Sequence, residues 1–186
     1  MKALISIKNN VRLWFLKRAH RKVKRKKKFF SYNRATSFGI IYDASNEDSY
    51  RDLTYLVRDL QQDQKKVKTL GFVAQKKMPE YCFPKLTFEF CKASDFSWTQ
   101  QPTAQNVREF IYQGYDVLID LTPSSFYQCK YLCAISPSRM ITGRYAERYV
   151  DVYDLMLQVD DTMSVKETGG QVIHYLKMFN NEQSND

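Results

Sequence analysis

No aspartate or glutamate occurs before Asp43. Residues 1–34 hold thirteen of the 29 lysines and arginines, so this stretch carries +13, while the rest, with sixteen basic and 20 acidic residues, carries −4. The absence of acids excludes neutralisation within the segment and marks it as a tether for a polyanion. Histidine is scarce as well: His20 and His174 are the only two, and with Ser45 and Ser136 they give no basis for a nucleophilic triad. His174 is expected to be a packed or surface residue. The four cysteines, Cys82, Cys91, Cys129 and Cys133, form no CxxC and no paired zinc-ligand spacing, so reduced, buried or partly buried thiols are expected and no metal site. No apolar run reaches the roughly 18–20 residues of a membrane-spanning helix. The early run ALISI is short, Lys8 and Arg12 break up the residues after it, and no small-residue cleavage site is visible. A secretory signal is therefore not expected, and the cytoplasm is the expected compartment. Glycine-rich phosphate loops are missing too. Neither GxGxxG nor GxxxxGK[ST] occurs, and Gly169-Gly170 lacks a third partner, so no nucleotide cofactor is expected.

What remains is a folded body behind a basic arm. Hydrophobic residues make up 44% and aromatics 15% of the chain, and the roughly 150 residues beyond the arm suffice for a substantial core. The arm is taken as residues 1–34, the body as 35–180 and a frayed tail as 181–186. From Lys8 to Phe30 nothing breaks a helix, and Asn9 or Asn10 can cap its start. Val11, Phe15, Ala19 and Val23 form a narrow apolar stripe, widened by Leu13 and Trp14. Beyond Ala19 the charge becomes almost continuous, and like charges at i,i+4 make that half marginal without an anion.

In the body, Phe38–Tyr42 reads as a buried parallel strand ending in Asp43. A helix follows over about Asp48–Gln64, with Ser45 or Asn46 as its cap. Lys68–Gln75 and Leu86–Cys91 read as the second and third strands, separated by a loop with Pro79 and Pro84. Ser94–Pro102, containing Trp98, is a second loop. Thr103–Gln113 is helical, with Gly114 as its stop. Asp116–Leu121 is the clearest core strand, and Ser124–Ile135 the next helix. Met140 and Ile141, and then Val152–Val159, mark short strands. A last helix spans Ser164–Asn180, weakened near its start by Gly169 and Gly170. This alternation predicts an α/β fold with a mainly parallel, Rossmann-like (doubly wound) sheet and a basic N-terminal helical extension.

Two groups of residues carry possible chemistry. The basic segment is the first. Arg12, Lys17, Arg18, Arg21, Lys22, Lys24, Arg25, Lys26, Lys27 and Lys28 are the candidate phosphate contacts, and Trp14 with Phe15 the candidate stacking contact. This pattern predicts a non-enzymatic RNA-binding protein, with ribosomal RNA the expected partner and the body a docking or regulatory module with a possible protein partner. The same helix could instead lie on an anionic membrane surface. Arg139, Arg144 and Arg148 could extend the footprint, although interleaved Glu147, Asp151 and Asp154 suit an ordinary mixed-charge surface. The second group is Asp43 and Asp120, each at the carboxyl end of an apolar strand, where open α/β sheets bind ligands. They could hold Mg²⁺ beside a phosphate in a small phosphate-handling or glycosyltransferase-like enzyme. A capping or turn role is the simpler account, and substitution by alanine is then expected to cost about 0.5–2 kcal/mol.

FGIIYD, GYDVLIDLT, AISPSRMITGRY, YDLMLQV and QVIHYLK, behind a Lys/Arg-rich N-terminal helix, resemble an uncharacterised bacterial family of similar length. The resemblance covers nearly the whole chain and implies no particular activity. Separately, DVLIDLT and AISPSRMITGRY are similar to the N-terminal Rossmann-like half of heptosyltransferase-type glycosyltransferases. Those enzymes bind the nucleotide sugar with a second such domain, so the resemblance does not imply transfer activity here.

Overall fold

The computed structural model describes residues 2–160 and 162–179, with side chains from residue 9 onward. The frayed tail expected at 181–186 lies outside the described residues. Six strands, β1 (Ser37–Asp43), β2 (Lys66–Val73), β3 (Phe88–Lys92), β4 (Val117–Asp120), β5 (Met140–Arg144) and β6 (Leu155–Leu157), form one sheet in the order β3-β2-β1-β4-β5-β6. Every neighbouring pair is parallel. The helices are α1 (Lys2–His20), α2 (Glu47–Gln62), α3 (Gln105–Tyr112), α4 (Tyr127–Ile135) and α5 (Val165–Met178). The expected doubly wound α/β fold is what the chain adopts.

Two hydrophobic layers cover the sheet, and strand alternation assigns side chains to them. Phe38, Ile40, Val117 and Ile119 meet Leu53, Val57 and Leu60 of α2 and Val172 and Leu176 of α5. Ile41, Leu70, Leu118 and Ile141 meet Val107 and Ile111 of α3, Leu132 of α4 and Leu16 of α1. The strands are buried on both faces, which is why they read as continuous apolar runs rather than alternating ones. Asn46 caps α2 by accepting from the Ser49 N–H at 2.8 Å, and Ser164 with Glu167 forms a capping box at the start of α5. Gly169 does not interrupt α5. A Cβ there would come within 2.6 Å of Leu56 Cδ2, so the glycine sets the close approach of α5 to α2. The crossover from β2 to β3 contains no helix. Its loop instead packs Tyr81 and Cys82 onto the α2 layer.

The basic segment departs from expectation. The helix ends at His20, and residues 23–31 have no regular secondary structure. The predicted continuation to Phe30 loses to two effects. Clustered like charges oppose a helix there, and the extended chain gains partners on the body, including a bond from the Lys28 N–H to the Arg139 carbonyl at 3.2 Å.

Candidate nucleic-acid interface

The arm lies on the body through an apolar and polar seam. Leu16 is buried in the layer shared with α4, and Leu13, Ala19 and Val23 pack beside it. This seam is rotated from the stripe read in the sequence: Val11, its first member, is exposed. Tyr127 donates its hydroxyl to the Arg12 carbonyl, and His20 Nδ1 lies 3.1 Å from the Ala134 carbonyl. Further along, Arg25 turns inward with its side chain only 2% exposed. Its guanidinium donates to the carbonyls of Ser138 at 2.9 Å, Val152 at 3.2 Å and Arg139 at 3.3 Å, and to the Asp154 carboxylate. Arg25, counted among the phosphate contacts from sequence, is thus the anchor of the segment. Phe30 and Tyr32 are buried in the opposite layer, and the Tyr32 N–H donates to the Leu176 carbonyl at 2.8 Å.

With these groups turned inward, the other cations face solvent. Lys17, Arg18, Arg21, Lys22, Lys24, Lys26, Lys27 and Lys28 are exposed, and Arg12 is half-buried. Arg12 stacks over the Tyr127 ring at 5.6 Å. Two ion pairs reach back to the body, Lys17 to Asp151 at 3.6 Å and Lys27 to Asp154 at 3.2 Å. The Lys17 pair is exposed on both sides and contributes little; Asp154 is only 15% exposed and is shared with Arg25. Trp14 is 56% exposed. Phe15 lies between Trp14 at 5.0 Å and Trp98 at 5.7 Å, both edge-on. Of the arginines near β5, Arg139 and Arg148 are exposed, whereas Arg144 is buried and donates to the carbonyls of Asp160 at 2.6 Å and Met163 at 2.7 Å.

The strand ends have a different character. Asp43 and Asp120 sit on adjacent strands at the point where the strand order reverses. Asp43 Oδ1 accepts from the Ser45 N–H at 2.9 Å, a local turn bond. Asp120 is fully buried. Its carboxylate takes Lys130 Nζ at 2.7 Å, the Tyr153 hydroxyl at 2.5 Å, and the Thr122 N–H and hydroxyl at 2.9 and 2.6 Å. Lys130 also donates to the Thr122 carbonyl at 2.9 Å. Burial alone would raise the Asp120 carboxyl, but the charge and hydrogen bond of Lys130, with Thr122 and Tyr153, outweigh it and hold the group below the ordinary range. Burial, with the neighbouring Asp120, pushes the Tyr153 hydroxyl and the Cys133 thiol well up, so both stay protonated. The four cysteines are buried and unpaired. Among the described residues no group of three His, Cys, Asp or Glu could hold a metal ion, and no helix is long and apolar enough to cross a membrane.

A family model described as Family of unknown function (DUF6913) matches residues 8–179. The chain belongs to that family. The match takes in most of α1 as well as the sheet. No curated protein and no solved structure matches the chain.

Sequence reasoning missed Lys130, the buried partner of Asp120. The signal was present: a lone charge, Lys130, in the mostly apolar helical stretch YQCKYLCAI needs a counter-charge if it is buried, and Asp120 closes the preceding strand. Nothing local in the sequence brings Trp98, in its loop, against Phe15.

Proposed function

We propose that this protein binds RNA through the outward-facing cations of residues 17–28, as a binding protein rather than a catalyst. The observation that carries this reading is the division of the segment. Leu16, Arg25 and Phe30 hold it to the body, while Lys17, Arg18, Arg21, Lys22, Lys24, Lys26, Lys27 and Lys28 remain in solvent. A pinned row of cations loses less conformational entropy on meeting phosphates than a free tail does. Leu13, Leu16 and Ala19 of α1 already pack against the body, so these apolar side chains are not free for the bilayer insertion a membrane anchor needs. Asp120, the residue on which an enzymatic reading most depends, has its carboxylate enclosed by protein donors.

Binding of the full chain to structured RNA should weaken steeply with salt. If six to eight phosphates are neutralised, log K against log[salt] falls with a slope of about −4 to −7. Ribosomal RNA is the first partner to test, by sedimenting a lysate and following the protein in the ribosomal, membrane and free fractions. Affinity that is independent of salt, or sedimentation with membranes alone, would overturn the proposal.

A further inference from the structure

Trp98 is 84% exposed, an unfavourable position for a large indole unless something covers it. Its loop is not slack. The Ser97 N–H donates to the Gln101 carbonyl at 2.9 Å, the Gln100 N–H to the Ser97 carbonyl at 2.8 Å, and the Gln101 N–H to Ser97 Oγ at 3.1 Å. Phe96 and Pro102 pair across its base. Gln100 is held at φ +70°, in the left-handed region that residues with side chains rarely occupy. A tight, over-determined turn therefore presents the indole to solvent, edge-on to Phe15, which Trp14 also meets edge-on.

Beside this aromatic row lies a cleft of about 560 Å³. Three cations converge on it from two elements, Arg18 and Lys22 from α1 and its end and Arg108 from α3, and among the described residues no acid lines it. All three are exposed, and among the described residues none pairs with a carboxylate. Tyr112, 54% exposed, stands at the same cleft. Arg18 also lies over the Trp14 ring at 5.4 Å. Cations without a carboxylate partner beside exposed aromatic rings are what a chain of alternating phosphates and unstacked bases requires. A duplex offers the phosphates but keeps its bases stacked within.

We infer that this cleft is a single-strand site: Arg18, Lys22 and Arg108 take the phosphates of a short single-stranded RNA segment, and Trp98 and Tyr112 stack on its bases. The inference rests on the RNA reading above and deepens it. It names an unpaired strand as the substrate class and extends the interface from the arm to α3 and the 96–102 loop.

The test uses the full chain, fluorescein-labelled oligouridylate, a hairpin duplex with the same number of phosphates, and vesicles of anionic phospholipid. The wild type should prefer the single strand to the duplex. Trp98→Ala should weaken single-strand binding about tenfold and leave the salt slope unchanged, because stacking releases no counterions. Arg108→Gln should weaken it and reduce the slope by about 0.7, the share of one contact on a single strand. Both side chains are exposed, so circular dichroism should match the wild type; if Trp98→Ala does not fold, Arg108→Gln carries the test. Should Trp98→Ala and Arg108→Gln both bind the oligonucleotide as the wild type does while Lys26→Gln weakens it, the cleft is not a site and the arm reading survives. A wild-type chain that binds neither RNA overturns both. Vesicle binding that depends on Trp98, with no preference for the single strand, also overturns the inference.

Discussion

The molecule holds two concentrations of charge that obey opposite rules. Around Asp120, every ionic group is enclosed and matched: Lys130, Thr122 and Tyr153 supply donors to one carboxylate at 2.5–2.9 Å. Along residues 17–28, charge of one sign is displayed with little to match it. The first arrangement resists opening, since a buried charge without its partner is costly. The second costs little while solvated and gains only when an anion arrives. Arg25 shows that residue type does not decide between them. It sits in the middle of the cationic run, yet it follows the first rule, enclosed by three carbonyls and Asp154.

The largest way to break this comparison is to remove the arm. If residues 1–34 were a separate appendage, the body would stay folded without them, as the charge division in the sequence suggested. Leu16, Phe30 and Tyr32 are instead core residues. Truncating a buried side chain of this size costs about 2–5 kcal/mol, and small domains have about 5–15 kcal/mol in all. A chain beginning at Ala35 should therefore lose its cooperative thermal transition in circular dichroism. A melt matching that of the full chain would restore the picture of an appendage.

The contrast between arm and body also marks where sequence reading succeeds and where it stops. The strands were legible because both their faces are buried, which writes β1 and β4 as apolar runs closed by an aspartate. Gly114, at φ +69°, was legible as the stop of α3. Strand order was not legible, because a doubly covered strand looks the same at any position in a parallel sheet. The end of α1 was missed because the groups that outcompete helix beyond His20, among them the Arg139 and Ser138 carbonyls, lie far away in sequence. The role of Asp120 was half legible. A capping or turn role follows from its place at a strand end, and the bonds from Thr122 fit a turn role, but the ion pair depends on the next helix turning Lys130 inward.

The next largest effect belongs to that ion pair. Lys130→Met leaves Asp120 buried without its cation and should destabilise the fold by about 3–5 kcal/mol in chemical denaturation. This exceeds the cap-sized loss that a turn role alone would give. The pair also has a pH signature. The folded carboxyl titrates below its unfolded value, so its contribution is fully present above the unfolded pKa, about 3.9. It is lost as pH falls through the folded pKa. Thermal stability measured from pH 7 down through pH 4 and below should fall in the wild type, and part of that fall should be missing in Asp120→Asn. Identical acid profiles for the two proteins would show that Asp120 does not titrate as an enclosed ion pair.

Arg25→Ala comes third. It strips three carbonyls of a donor and leaves Asp154 with Lys27 and the Ile141 N–H, at 3.2 and 2.8 Å. Hydrogen bonds to a charged group contribute about 1.5–3 kcal/mol, and Asp154 remains partly hydrated. A loss of about that size in unfolding free energy is expected, read from the denaturant midpoint. Faster hydrogen exchange at the Lys28 N–H should accompany it, since that amide donates to the Arg139 carbonyl, one of the three that Arg25 holds.

Lys26→Ala has the smallest effect on the fold and sharpens the comparison most, because it alters the very next residue. Lys26 is exposed, and surface positions without partners rarely move stability beyond about 0.5 kcal/mol. The melting temperature should therefore stay where it is. RNA affinity should drop, and the slope of log K against log[salt] should shallow by about 0.7–0.9, one contact's share. Adjacent cations would then separate the two rules cleanly: Arg25 moves stability through the body it is bonded to, and Lys26 moves the salt slope through the phosphates it meets. If Lys26→Ala changes neither slope nor affinity while a substitution at Lys22 or Arg108 changes both, the phosphate track runs along α1 and the cleft rather than along the extended segment. If Lys26→Ala lowers the melting temperature as far as Arg25→Ala does, the extended cations belong to the fold, and the contrast between enclosed and displayed charge fails at the residue chosen to define it.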